Sequence, residues 1–241
     1  MKSKLQKFIP VPYDIDQYVI LDSTCVIILI HYIIIILYIC NCYRHILMMF
    51  SEIVSHLGKF RAGIAGAGGL GSNCAAALAR CGVGTLVIAD FDIVEKANLN
   101  RQYYFSTQTG MLKTDALKQN IAQINPSVKV ITHNLKLDES NIPSVFEGCD
   151  VIVEAFDSSS MKEMLIETIQ LKMPGIPVII GSGLAGWGNN DTIRFRKIDD
   201  TLYVCGDEST DAGEDLPPMA PRVGIVANMQ ANTVIEILMN K

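Results

Sequence analysis

The sequence contains no C-x-x-C pair and no regular histidine spacing. Its seven cysteines are scattered over 241 residues, which indicates neither a structural zinc site nor a disulfide framework. A reducing, cytoplasmic setting fits this pattern. Positive charge is also scarce, since 20 basic against 25 acidic residues give a net charge of -5. This balance excludes a broad basic surface for nucleic acid, so we expect no nucleic-acid partner and a focused site for any anionic ligand.

Composition changes sharply near residue 50. Residues 25–40 form an almost unbroken apolar run that residues 18–43 extend, close to the length of a membrane-spanning helix. No small-residue cleavage site follows, which argues against a cleaved signal peptide. Two interpretations stay open: an uncleaved membrane anchor, or translation from an upstream start with the working protein beginning near Met49, which we favour. We therefore predict an N-terminal extension over residues 1–50 and one domain over 51–241.

Strand-like and helix-like segments alternate from Arg61 onward. This order predicts an α/β fold with a Rossmann-like, mostly parallel sheet, helices on both faces and a late antiparallel strand pair. The predicted strands are 62–65, 85–89, 128–132, 150–156, 177–180, 192–196 and 202–205, and the predicted helices are 73–80, 113–125, 160–171 and 222–240. Residues 206–221 are rich in acids, glycine and proline and predict a mobile surface loop. This loop is either functional or a solvated connection.

A glycine-rich turn follows the first predicted strand. Gly66, Gly68 and Gly71 stand in the pattern G-x-G-x-x-G, in which missing side chains let the backbone approach a phosphate at a helix N-terminus. The second strand ends at Asp90, placed to accept hydrogen bonds from a ribose. This much describes an NAD-dependent oxidoreductase equally well.

The residues after Asp90 favour phosphate chemistry over hydride transfer. An amide at Asn98, a guanidinium at Arg101 and an ammonium at Lys113 follow in order, and a dehydrogenase has no need of them there. When a carboxylate attacks an α-phosphate and pyrophosphate leaves, preorganised cations stabilise the negative charge that builds up in the transition state. The segment therefore predicts nucleotidyl transfer, with Arg101 as a fork and Lys113 as a point charge.

Asp157 follows the predicted strand 150–156. In an open α/β sheet the carboxyl ends of the strands face the ligand crevice. One or two carboxylates together with phosphate and water suit Mg2+, so Asp157 is a candidate ligand for the metal of a nucleoside triphosphate. An alternative is that Asp157 caps the helix that starts near Ser160.

Five motifs in order resemble the ThiF/MoeB/HesA superfamily, the adenylating enzymes related to ubiquitin-activating enzymes. The resemblance covers residues 58–241 and is nearest to short ThiF-like sulfur-carrier adenylyltransferases. Its motifs are G-x-G-G-L-G at Gly66 to Gly71, D-x-D at Asp90 and Asp92, N-L-x-R-Q at Asn98 to Gln102, G-x-x-K at Gly110 to Lys113, and Asp157 with Ser158. The resemblance implies ATP and Mg2+ as cofactors and Arg101, Lys113 and Asp157 as catalytic residues, with Asp157 handling the metal. The implied nucleotide-binding residues are Gly66, Gly68, Gly69, Gly71, Asp90, Asp92, Asn98, Gln102 and Ser158.

The resemblance further implies an acceptor. This is the C-terminal glycine of a small β-grasp sulfur carrier ending in Gly-Gly, which becomes an acyl-adenylate on a homodimeric enzyme. The thiamine-pathway carrier is our first choice, because the run from Met219 to Gly224 resembles a short ThiF-like branch. A molybdopterin-synthase carrier or a carboxylate on modified tRNA are alternative acceptors, and an ATP-binding module without catalysis is a third class.

Two departures from the superfamily pattern concern metal and partner residues. The paired C-x-x-C motifs that bind zinc in many sulfur-carrier activators are absent. The arginine that some members donate from an N-terminal helix has no counterpart in residues 1–57.

Cys205 beside the acidic loop is the candidate for sulfur transfer, although Asp207 and Glu208 nearby favour a half-buried structural thiol.

Overall fold

The computed structural model describes residues 36–37 and 49–241. The predicted anchor over residues 18–43 therefore falls largely outside the described residues. The alternative start near Met49 and the domain boundary at residue 50 stay predictions. Within the described ranges, no helix combines the length and the apolar character that crossing a bilayer requires.

A seven-stranded sheet with the order β3-β2-β1-β4-β5-β7-β6 organises the fold. The strands are β1 (Arg61–Ala65), β2 (Thr85–Ala89), β3 (Lys129–His133), β4 (Val151–Glu154), β5 (Val178–Gly181), β6 (Arg194–Lys197) and β7 (Leu202–Gly206). All neighbouring strands pair in parallel except β6 and β7, which are antiparallel. The predicted Rossmann-like sheet with a late antiparallel pair is confirmed.

Five helices connect and close the sheet over the described range that follows β1. They are α1 (Gly69–Cys81), α2 (Lys113–Ile124), α3 (Ile142–Val145), α4 (Ser159–Lys172) and α5 (Ala220–Met239). Short 3-10 turns cover Lys96–Asn98, Ser106–Gln108 and Asn190–Thr192. The four predicted helices are present, whereas α3 and the 3-10 turns carry too little periodicity to be recognised in the sequence.

Each central strand buries both of its faces. Ala62 and Ile64 of β1 pack into one apolar cluster with α1, α2 and α5, while Ala65 joins a second cluster with α3 and α4. Such strands read as continuous apolar runs because helices cover the sheet on both sides. The predicted helices on both faces are thus confirmed, and the carboxyl ends of the strands are left as the place for a ligand.

Helix α1 begins at Gly69, before the predicted Asn73. The glycines that signalled a turn therefore form its first residues. A Cβ at Gly71 would lie 1.9 Å from the Gly66 carbonyl oxygen, so only glycine lets the helix start directly against the end of β1. Gly66 itself has a φ of 99°, a conformation that other residues rarely adopt.

Replacing Gly71 with alanine tests this close approach. The added Cβ meets backbone rather than a flexible side chain, so we expect the free energy of unfolding to fall by about 1–3 kcal/mol. The control is Gly224→Ala in α5, where a Cβ meets nothing within 4 Å and stability should hold or rise slightly. Equal urea midpoints for the two variants would contradict the packing argument.

Candidate nucleotide site

A cavity of about 820 Å³ opens at the carboxyl ends of the parallel strands. Strand β1 lies between β2 and β4, so the chain leaves the sheet in opposite directions on its two sides. Ligands in open α/β sheets bind at such a switch point. The cavity is therefore the candidate functional site.

Most of the residues that the sequence suggested meet at this cavity. Its lining includes Gly66, Gly68, Gly69, Asp90, Asp92, Arg101, Gln102, Lys113, Asp157 and Ser158. Gly71 and Asn98 do not belong to the lining. Gly71 is used for the contact between α1 and β1. The side-chain oxygen of Asn98 accepts the Glu95 N–H at 3.0 Å and so holds the turn that leads to Arg101.

The Asp90 carboxylate is fixed at the end of β2. One oxygen accepts the Ala67 N–H at 2.6 Å, and the other accepts the Asp92 N–H at 2.8 Å. The buried Tyr104 hydroxyl donates to the Ala67 carbonyl at 2.7 Å, and burial raises the pKa of that phenol. The acid that was predicted to hold a ribose is thus locked to the glycine turn.

Lys113 stands at the first position of α2 and is nearly buried. Its ammonium donates to the Asp92 carboxylate at 2.7 Å, with 7% of the Lys113 side chain exposed. An ammonium has three N–H donors, so this pair orients Lys113 while other donors remain for a ligand in the cavity. Asp92 thereby positions the Lys113 ammonium through a direct ion pair.

Arg101 lies against the start of α1. Its guanidinium donates to the Asn100 side chain at 2.8 Å and to the Ala97 carbonyl at 3.3 Å, both through the same Nη1 atom. The Asn73 amide, which the sequence did not single out, donates to the carbonyls of Arg101 and Gly69 at 2.9 and 2.7 Å. Asn73 therefore fastens the arginine segment to the glycine turn.

Gln102 brings a polar atom without a hydrogen-bond partner to the cavity. Its side-chain oxygen is buried without a hydrogen-bond partner, which costs free energy unless a donor arrives. A Cβ at Gly68 would lie 3.9 Å from the Gln102 amide nitrogen, an ordinary van der Waals distance. The glycine turn and the Gln102 side chain therefore line the cavity side by side.

Asp157 follows β4 and is exposed to the cavity. Helix α4 takes Ser158 as its N-cap residue without a side-chain capping bond, so the capping interpretation of Asp157 is wrong. In the part of the chain that the structure describes, its carboxylate has no hydrogen bond or ion pair. No cluster of three metal-binding side chains occurs among the described residues either.

A second cation, Lys162 of α4, also lines the cavity. Its ammonium contacts both oxygens of Glu154 at 2.9 Å and the Gly181 carbonyl at 3.0 Å. Glu154 is the last residue of β4 and is fully buried. Burial raises the pKa of Glu154, and Lys162 opposes that rise. A charged residue inside the apolar run of β4 was the available sequence signal, because such a charge requires a partner.

The acidic segment between β7 and α5 is tied to the domain at Asp207. Buried Arg222 of α5 donates to the Asp207 carboxylate and to the Gly188 carbonyl. Although burial opposes ionisation, N–H bonds from Ser209 and Thr210 bring the pKa of Asp207 down to about 2. Residues 210–213 line the cavity, so the segment borders the candidate site.

Cys205 lies in β7 with its side chain in the apolar core. Burial raises its pKa to about 11. A buried thiol of this kind is a poor nucleophile. The cysteine suggested for sulfur transfer is thus inside the fold rather than at the cavity.

Comparison with known proteins finds relatives that are similar to this domain in sequence. The adenylyltransferase and sulfurtransferase UBA4 of Saccharomyces cerevisiae is 31% identical over 183 residues, which are 73% of this chain and 41% of that protein. The related MOCS3 of Caenorhabditis briggsae is 32% identical, over 72% of this chain and 44% of its own length. The chain thus spans about two fifths of these relatives.

The fold also matches solved structures. The Escherichia coli tRNA N6-threonylcarbamoyladenosine dehydratase TcdA, solved in complex with AMP, gives a TM-score of 0.71 at 20% identity, covering 78% of this chain and 90% of that one. The ThiF family profile matches residues 43–241. This chain therefore belongs to the ThiF family.

Proposed function

We propose that this chain is an ATP-dependent adenylyltransferase that activates the C-terminal carboxylate of a small ubiquitin-like carrier protein. The observation that carries the proposal is the meeting of Arg101, Lys113 and Asp157 at the glycine turn in one cavity. Curated relatives are named adenylyltransferases, which supports the same reaction class. The phosphate-directed cations give no support to an oxidoreductase.

The proposed reaction is a displacement at the α-phosphorus of ATP. A carboxylate oxygen of the acceptor bonds to the α-phosphorus, the bond from that phosphorus to the bridging oxygen breaks, and pyrophosphate leaves. Negative charge rises on the bridging and non-bridging oxygens. Arg101 and Lys113 stabilise that charge most in the transition state, because both are held in place before the substrate arrives.

The residues present fit ATP. The free backbone at Gly68 and Gly69 and the N-terminus of α1 suit a phosphate group. The unpartnered Gln102 oxygen is suited to a donor such as a ribose hydroxyl. Asp90 already holds the turn and retains lone pairs for the ribose. Gly66, Asp92 and Ser158 complete the proposed nucleotide contacts, while Gly71 and Asn98 support the turn and the arginine segment.

The residues also fit Mg2+ as a partner of the triphosphate. Asp157 offers one unpaired carboxylate, and Mg2+ is commonly held by one or two carboxylates together with phosphates and water. When bound, the metal would neutralise charge on the phosphates. Asp157 would hold it beside the glycine turn.

The acceptor is proposed to be a protein tail. Past the glycine turn, the cavity continues along Gly181 to Ala185 and along residues 210–213, which gives an extended chain end a path to the phosphates. Asp211 borders that path, and the neighbouring Glu214 and Asp215 are exposed. These acids would repel a polyanion, so a protein tail is favoured over tRNA. The thiamine-pathway carrier with its Gly-Gly end is the first acceptor to test, and a homodimer stays a prediction.

ATP–pyrophosphate exchange tests the proposal. Labelled pyrophosphate should enter ATP only when Mg2+ and a carrier ending in Gly-Gly are both present, because exchange requires a reversible adenylate. The matched control is the same carrier with its terminal carboxylate amidated. Thiamine-type, molybdopterin-type and tRNA acceptors are compared side by side. Tight NAD binding without ATP binding would overturn the proposed activity.

Replacing Arg101 with alanine tests its catalytic assignment. Loss of one preorganised charge-stabilising group should lower the exchange rate about 100- to 1000-fold, with unchanged melting temperature because Arg101 is half-exposed. Arg194→Ala on β6, an exposed position outside the cavity lining, is the matched control. An Arg101→Ala variant as active as Arg194→Ala would remove arginine from the proposed chemistry.

Thiol labelling tests whether Cys205 takes part in sulfur transfer. With N-ethylmaleimide at about pH 8, we expect modification of Cys81, which is exposed, and protection of Cys74, Cys149 and Cys205, which are buried and ionise poorly. Peptide mass mapping identifies the modified sites. Cys205→Ser should retain exchange activity. Labelling of Cys205 as fast as Cys81 would show that the thiol is accessible and return it to consideration.

A further inference from the structure

We propose that Lys162 and Glu154 form a positioning pair that sets Asp157 relative to the acceptor side of the cavity. This inference rests on the proposed function, because it assigns Asp157 to the metal-bound triphosphate. Lys162 lines the cavity and Glu154 is buried behind it, where β4 and β5 end side by side.

The hydrogen bonds of Lys162 connect its own helix α4 with the ends of β4 and β5. Two of its N–H groups reach Glu154 at the end of β4, and the third reaches the carbonyl of Gly181 at the end of β5. All three ammonium donors are thereby used. Lys162 therefore acts through its neighbours, which makes it a positioning residue.

Glu154 shapes the chain that leads to Asp157. Its side-chain oxygen accepts the Phe156 N–H at 2.6 Å, which closes the turn after β4. The Gln230 amide donates to the Glu154 carbonyl at 2.9 Å and to the Ile179 carbonyl at 3.2 Å, so β4 and β5 are joined a second time from α5. The direction in which the chain leaves β4 depends on these contacts.

Stability alone does not account for such a pair. Glu154 is fully buried and Lys162 is 21% exposed, and desolvating two charges offsets much of their attraction. A well-packed apolar pair of similar volume is often neutral or stabilising. What an apolar pair cannot do is fix Gly181 and the Phe156 N–H in one geometry. The ends of β4 and β5 carry the two reactants in the proposed reaction, and a shift of about 1 Å between them costs about 100-fold in rate.

The central test replaces the pair by an apolar one, Glu154→Leu with Lys162→Met. We expect a folded protein with a lower melting temperature, because the Phe156 N–H and the Gly181 carbonyl lose their partners. The ATP affinity in EDTA should be unchanged, because the glycine turn is untouched. The gain in ATP affinity on adding Mg2+, measured by calorimetry, should fall about 10-fold, since the groups that orient Asp157 are removed. The exchange rate constant should fall about 100-fold.

Three further variants make the result decisive. Glu154→Asp with Lys162→Arg keeps the charges and the combined length, and should restore both readouts to within about 3-fold. Glu154→Gln with Lys162→Met retains an acceptor for the Phe156 N–H, and it replaces the apolar pair if that pair fails to fold. Lys197→Met removes an exposed ammonium that pairs with Asp200 outside the cavity lining, and should change nothing.

The binding arm requires no acceptor, which separates this proposal from the proposed function. Absence of exchange in the parent would contradict carrier adenylation, yet the Mg2+ effect on ATP binding would still decide the role of Lys162. Asp157→Asn gives the expected floor for that effect. If a folded uncharged pair keeps the Mg2+ gain and the exchange rate within about 2-fold of the parent, the positioning role is overturned.

Discussion

The site depends on how closely helix α1 approaches the end of β1. A Cβ at Gly71 would lie 1.9 Å from the Gly66 oxygen, so the helix N-terminus is brought to the sheet edge by the absence of side chains. The carboxylate of Asp90 then secures the turn through the Ala67 N–H, and Asn73 secures the arginine segment to the same turn. The glycine-turn side of the cavity is therefore a single hydrogen-bonded unit that depends on one close backbone approach.

The sequence predicted the architecture well because its signals are local. Apolar runs marked each central strand, and the charged and glycine residues that follow them marked the sheet edge. Arg101, Lys113 and Asp157 lie at the cavity, where the order of motifs suggested. Their catalytic roles stay predictions.

Contacts between residues that are distant in the sequence could not be predicted from local sequence patterns. Nothing in the spacing of Glu154 and Lys162 reveals that Gly181 completes their arrangement, because β4 and β5 become neighbours only in the folded sheet. The burial of Cys205 likewise follows from α5 covering β7. The start of α1 was misplaced because glycine normally weakens a helix, whereas here packing against β1 requires it.

The ion pair between Asp207 and Arg222 has a consequence for how an acceptor would be received. It fixes the acidic segment near β7, while α5 fixes its other end at Ala220. A segment with both ends fixed has already lost the entropy of loop closure. Moving residues 211–213 around an incoming chain end would then cost only local freedom, and Asp207 and α5 would still hold the two ends of the segment.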